Sequence, residues 1–177
     1  MSAYLPGRLL ARLHGDLGDF ERQDTGSGAA RFLAAANAMT FSVREIVDRH
    51  FLMHTVIAQF EYSVAAPSPA RSHIRVRHRG AFTRRGIEFE ATAGGATEVR
   101  GLQADEGLAA ALMPLDFTRC ELFSEPAGWR VELQHYGASE VVGRIPALSR
   151  YVPLIAAQRE SLLGAFRGFA RVLAGSP

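Results

Sequence analysis

Arg71, His73, Arg75, Arg77 and Arg79 stand at every second position of one short stretch. Guanidinium and imidazole groups grip phosphate and carboxylate, the former through a planar fork of donors. On a β-strand, side chains alternate between faces, so these five point one way and Ile74, Val76 and His78 the other. The pattern predicts a cationic ledge for an anionic ligand: RNA backbone, a phosphorylated metabolite or an acidic protein surface. Glu61 on one neighbouring strand, and Glu88 and Glu90 on the other, are expected to pair across with some of the cations. Five basic groups against three acids leaves an excess. Nucleic acid is the weaker partner, because only Tyr62 and Phe82 lie near enough for base stacking, and Tyr62 is expected to face inward.

Two further groupings carry residue types with chemistry. On a helix, His50 and His54 would face the same way and could share a metal with Glu45 or Asp48. The metalloprotease helix motif is absent, however, and no third ligand can be named. His135, Ser139 and Glu140 supply the residue types of a hydrolase, but Gly137-Ala138-Ser139-Glu140-Val141 lacks the final glycine of a nucleophile elbow. His135 shares a strand face with Trp129 and Leu133, the setting of a core histidine.

Composition closes several classes of function. All 20 basic residues are arginine. Without lysine there is no Schiff base, pyridoxal-phosphate attachment or phosphate-loop lysine, and no cofactor is expected. The single Cys120 excludes an internal disulfide framework and a zinc site on paired cysteines. No apolar run reaches the length of a membrane span, and the first residues lack the long apolar region of a signal peptide, so a cytoplasmic protein is expected. The formal net charge is +2, from 20 arginines against 18 acids. Six of those arginines (71, 75, 77, 79, 84 and 85) lie in the acid-free stretch between Tyr62 and Ile87. The remainder of the chain is mildly acidic, which argues against indiscriminate coating of nucleic acid.

These residues need a scaffold, and 177 residues, 47% hydrophobic, suit a single globular domain over residues 1–177. Leu9, Leu10, Leu13 and Leu17 recur at helical spacing behind Pro6. Asp24 to Gly28 reads as a loop, with a short strand near Arg31 to Ala36. From Phe41 to Leu52 the signals conflict: Ser42 and Glu45 match a capping box, yet the run is rich in Thr, Val, Ile and Phe, and the reading leans to extended structure. Val56, Ala58, Phe60, Tyr62 and Val64 then alternate with polar neighbours. With the arginine strand and Ile87 to Ala91 they predict a three-stranded meander, closed by Gly94-Gly95. Ala104 to Met113 is a short helix with Leu108 and Leu112 inward. A hairpin follows around Pro126-Ala127-Gly128, placing Trp129, Val131, Leu133 and His135 on one face. A long last helix, roughly Leu154 to Ala174, carries Ile155, Leu162, Phe166, Phe169 and Leu173 as its apolar stripe. Its small residues Ser161, Ala165, Gly168 and Val172 would pack on the sheet or on a second copy in a homodimer.

The fold class is α+β: a curved antiparallel sheet, meander plus hairpin, packed by a long C-terminal helix and one or two shorter ones. By analogy of fold alone, such a sheet around a terminal helix could enclose an apolar ligand or lipid, as helix-grip carriers do.

Four stretches carry a family resemblance: Phe51-Leu52-Met53-His54, Met113-Pro114-Leu115-Asp116-Phe117, the run from Gly137 to Pro146, and Arg150-Tyr151-Val152-Pro153-Leu154. They resemble a small bacterial family of unknown function, over most of the chain beyond about residue 40. The resemblance implies no activity, cofactor or site residue. The residues themselves point to a non-enzymatic binding domain using the arginine face. An apolar-ligand carrier, or a small enzyme built on His135 or on His50 and His54, are the alternatives.

Overall fold

A computed structural model describes residues 4–34, 39–49, 51, 53–66, 71–80, 85–143 and 148–175. The elements follow in the order α1 (Arg8–Leu17), β1 (Glu21–Gly26), β2 (Ala29–Ala34), β3 (Met39–Arg49), β4 (Met53–Val64), β5 (His73–Arg79), β6 (Gly86–Ala93), α2 (Ala96–Ala104), α3 (Glu106–Leu112), β7 (Phe117–Glu125), β8 (Gly128–Gly143), β9 (Leu148–Val152) and α4 (Ala156–Ala174). The strands form an antiparallel sheet in the order β1-β2-β3-β4-β8-β7-β5-β6, with β9 paired to β8. The α+β class follows directly. By contact the chain divides into two compact units, residues 1–61 with 134–159, and residues 62–133 with 160–177.

In the first unit, α1 buries Leu9, Leu10, Leu13 and Leu17, the four leucines that the spacing assigned to one face. They share a core with Phe20, Phe32, Phe41 and Phe60, which all lie at 6% exposure or less. Phe32 stacks on Phe41 at 5.8 Å between ring centres, and Phe41 meets Phe60 at 6.0 Å. Each such side chain contributes about 1.5–3 kcal/mol on burial. Residues 39–49 are strand, so the strand-forming composition outweighed the capping-box match. Glu45 nevertheless caps a helix, though not its own. Its carboxylate accepts from the Gly7 and Leu10 amides of α1 at 2.8 and 3.2 Å, and from the Tyr4 hydroxyl. The N-cap position, Gly7, has no side chain to do this.

In the second unit, β5, β6, β7 and the first half of β8 turn Ile74, Val76, Ile87, Phe89, Leu122, Trp129, Val131 and Leu133 inward. The α4 residues Leu162, Phe166, Phe169 and Leu173 are buried as expected, whereas Ile155 precedes the helix and is 55% exposed. Phe166 stacks on Tyr62 at 4.9 Å, which confirms that Tyr62 faces inward. Gly168 of the small-residue stripe lies against Leu108, where a Cβ would approach to 3.0 Å, so at that position the stripe packs within the chain. The edge of β6 is not bare. Gln103 of α2 accepts from the Phe89 amide and donates to the Ile87 carbonyl, standing in for a missing strand.

Several local readings need correction. The stretch 24–28 is not one loop, because β1 runs to Gly26 and only a tight turn separates it from β2. The helix expected over 104–113 is α3, with Leu108 and Leu112 inward, and α2, a helix the sequence did not announce, precedes it across Asp105. The meander is β1 to β4 rather than β4 to β6, because β5 pairs with β7 and β6. Strand β9 gave no periodicity to read. No helix among the described residues is long and apolar enough to cross a membrane.

Candidate functional site

Strand β5 alternates as its sequence requires. Ile74 and Val76 are buried, while His73, Arg75, Arg77 and Arg79 lie on the opposite, wetter face. Arg71 is not part of the ledge: it precedes the strand in a turn, with φ at 59°. The pairing aligns Arg75 with Glu90 and Arg77 with Glu88 on β6, and His73 with Phe123 and Arg75 with Glu121 on β7. Glu61 is not a neighbour; it pairs with Arg44 on β3 at 2.7 Å.

Glu121, which sequence reasoning passed over, organises one end of this face. Glu121 is only 8% exposed, and its carboxylate meets Arg119 at 2.8 Å, His73 Nε2 at 3.2 Å and Arg75 at 3.4 Å. Burial pushes its pKa up, but the hydrogen bonds and charges of Arg119 and His73 outweigh burial and hold it below the usual carboxylate range. Arg130 bridges Glu125 and Glu132 and lies over the Phe123 ring at 4.9 Å. The His73 ring also stacks on Phe123, with centres 4.6 Å apart and planes 9° from parallel. Arg75, Arg119 and Arg130 thus face Glu121, Glu125 and Glu132, three cations against three anions. This end is neutralised.

The opposite end is not. Arg77 reaches Glu90 at 3.5 Å with both side chains 53% exposed. Arg79 has no ion-pair partner among the described residues and is exposed. The Arg85 amide donates to the Arg79 carbonyl at 2.8 Å, which sets a third exposed arginine beside it.

At the other limit of β5, the β6 strand carries a bulge: His73 pairs with Ala93 and Ile74 with Ala91, leaving Thr92 as the extra residue. The Thr92 hydroxyl sits 2.7 Å from His73 Nδ1 and 3.1 Å from the His73 carbonyl. Nothing local in the sequence connects Thr92, His73 and Glu121. The bulge and the β5–β7 pairing bring them together.

The remaining predicted groups serve structure. His135 is fully buried, with Nδ1 3.2 Å from the Gly137 carbonyl, and Ser139 donates to the Tyr136 carbonyl. Glu140, 3% exposed, is held by Arg8 and Arg12 of α1. A substrate cannot reach the His135 ring, which removes it as a base. His50 lies outside the described residues. His54 opens a strand, not a helix, and no group of three metal-ligating side chains occurs among the described residues. His54 does line a small pocket with Tyr4, Arg8 and Glu140, and its buried Nε2 has no hydrogen-bond partner there. The pocket holds about 10 Å³ for the centre of a water-sized occupant. That is room for one water molecule. Cys120 is buried, and burial first, then the Glu121 charge, push its thiol well up, so it is inert.

Acid lability follows from two carboxylates of the second unit. Asp105 accepts from Arg171 at 2.7 and 2.9 Å and from the Leu108 amide at 2.7 Å. The Arg171 hydrogen bond is the largest cause of its lowered pKa. Asp105 and Glu121 are both depressed in the folded state. Their contribution is therefore fully present above the unfolded values, about 4, and is lost as pH falls through the folded ones. Stability should fall as the pH drops below about 4. The double variant D105N/E121Q should flatten that slope in thermal melts taken across the range; an unchanged slope would mean other groups set it.

A family model described as a protein of unknown function (DUF3156) matches residues 15–173, and the chain belongs to that family. The match extends further toward the N-terminus than the four resembling stretches do. No curated protein and no solved structure matches the chain.

Proposed function

We propose that this member of the DUF3156 family is a binding domain that takes a small anion on the open end of its β5 face, at Arg77 and Arg79 with Arg85 beside them. The observation that carries the reading is the uneven neutralisation of the face. Arg75 and His73 are engaged by Glu121, whereas Arg79 has no carboxylate among the described residues and Arg77 has one at 3.5 Å. A guanidinium fork with free donors binds phosphate or carboxylate oxygens two at a time. Arg71, exposed in the turn before the strand, adds long-range potential rather than contacts, while the His73–Arg75 end is neutralised and takes no part. Nucleic acid suits the site poorly, because Tyr62 is turned onto Phe166 and offers no stacking platform; Phe82 lies outside the described residues. A cytoplasmic location remains part of the proposal, supported by the lone buried thiol.

Titration of the protein with inorganic pyrophosphate tests the reading, followed through the arginine side-chain NMR signals. Binding is expected to weaken steeply between about 0.05 and 0.5 M salt, since an exposed site is screened. The variant R77Q/R79Q should lose it while its stability changes by no more than about 0.5 kcal/mol per site. Pyrophosphate binding that survives in the double variant, or that is absent from the wild type at low salt, overturns the assignment.

A further inference from the structure

We infer that Thr92, His73 and Glu121 form a hydroxyl–imidazole–carboxylate relay able to open carboxylic esters, with Thr92 as nucleophile. This goes beyond anion binding and does not depend on it, since Arg77 and Arg79 take no part. The distances are those of such a relay. Thr92 Oγ1 lies 2.7 Å from His73 Nδ1, and His73 Nε2 lies 3.2 Å from Glu121. With the Nε2 proton donated to Glu121, Nδ1 is left as the acceptor of the Thr92 proton.

Three features of the fold hold this arrangement. The bulge between β5 and β6 takes Thr92 out of register and turns its hydroxyl onto the histidine, the use to which bulges beside active sites are put. Phe123 stacks on the imidazole and fixes its plane. Arg119 and Arg75 anchor Glu121, so the carboxylate cannot swing away. Thr92 is exposed and the His73 side chain is 26% exposed, so an ester carbonyl can reach them.

Polar groups in the turn after Thr92 are uncommitted. Gly94 and Gly95 both have left-handed φ, and α2 starts behind them with no side-chain cap on its first-turn amides. Amides at a helix start are donors that stabilise a developing oxyanion.

The reaction would run in two steps. Thr92 Oγ1 bonds to the ester carbonyl carbon as its proton passes to His73 Nδ1. The carbon–oxygen bond to the alcohol then breaks, and the alcohol leaves with that proton. In the second step water adds to the acyl-threonine, giving its proton to Nδ1. Collapse releases the carboxylic acid and returns the proton to Thr92. Glu121 touches no substrate; it is a positioning residue that also stabilises the imidazolium. When His73 is already protonated, Nδ1 cannot accept, and the Thr92 hydroxyl turns to the His73 carbonyl. Glu121, Arg119 and Arg75 are the charges that face the ring.

The probe is p-nitrophenyl acetate with the full chain. Expected are release of nitrophenolate and an acetyl group on the peptide containing Thr92, found by mass spectrometry after an acid quench. T92V and H73Q should each lower the rate at least about 100-fold, while T92S, which restores a hydroxyl, should recover part of what T92V loses. E121Q should lower kcat while leaving KM unchanged, because the imidazolium formed during the reaction loses its anionic neighbour. Nitrophenolate release by T92V at the wild-type rate, or acetyl found on His73 and not on Thr92, overturns the relay. Pyrophosphate titration of T92V separates this result from the binding site, which T92V leaves intact.

Discussion

Gly128→Ala is expected to cost more than about 3 kcal/mol, a large fraction of the roughly 5–15 kcal/mol by which an ordinary domain is stable. Gly128 opens β8 with φ at 144°, in backbone territory that side chains rarely enter. A Cβ there would land on the Val64 carbonyl oxygen and come to 3.0 Å from the Ala66 amide nitrogen. Both are backbone atoms, so no rotamer change can make room. Either the β8 hairpin shifts or β4 withdraws. Gly15→Ala is the matched control. Gly15 lies within α1, and nothing stands within 4 Å of the place an added methyl would take, so the change should be neutral or stabilise by up to about 1 kcal/mol. Denaturant unfolding of the two variants side by side decides the matter. Equal stabilities would mean that the Gly128 conformation is not required.

Glu45→Ala is expected to cost about 2–4 kcal/mol, through α1 rather than through its own strand. Removing the carboxylate leaves the Gly7 and Leu10 amides and the Tyr4 hydroxyl without their acceptor. Hydrogen bonds to a charged acceptor contribute about 1.5–3 kcal/mol each, though the three share one carboxylate and do not add. Glu45→Gln should recover part of the loss, since an amide oxygen still accepts. The Tyr4 phenol offers a second readout. Its pKa is raised, by burial first and then by the hydrogen bond to and charge of Glu45. In Glu45→Ala the phenol should titrate at lower pH, nearer its ordinary value, in an ultraviolet titration. A tyrosine titration that does not move would show that Glu45 is not its partner in solution.

The same residue shows how far the chain could be read before it was folded. Ser42 and Glu45 carry the spacing of a capping box, and Glu45 does cap a helix. Which helix is a matter of distance in space, because Gly7 is 38 residues away. The arginine strand divides in the same manner. Its alternation placed Ile74 and Val76 inward and the cations outward, a consequence of the two-residue period of a strand. Its neighbours were a different question, and the expected Glu61 belongs with Arg44 while Glu121 comes in from β7. Hydrophobic period records only that a face is covered, never by what. His135 was legible as a core residue because Trp129, Val131 and Leu133 share its face. Thr92 was not legible at all, since its hydroxyl meets His73 only through a bulge that no residue type announces.

Composition alone, then, closed lysine chemistry, and local periodicity determined the two clearest helices, α1 and α4, the faces of β4, β5 and β8 and the α+β class. The latter properties depend on residues a few positions apart, and backbone geometry fixes what such spacings mean. Tertiary structure decided which carboxylates meet which arginines, leaving Arg77 and Arg79 the least engaged cations of their strand. It also decided that a threonine, a histidine and a glutamate from three strands share one hydrogen-bonded line. Strand pairing sets these meetings. It is chosen by the packing of the whole core against the entropy of closing long loops, a balance that no short window of sequence contains.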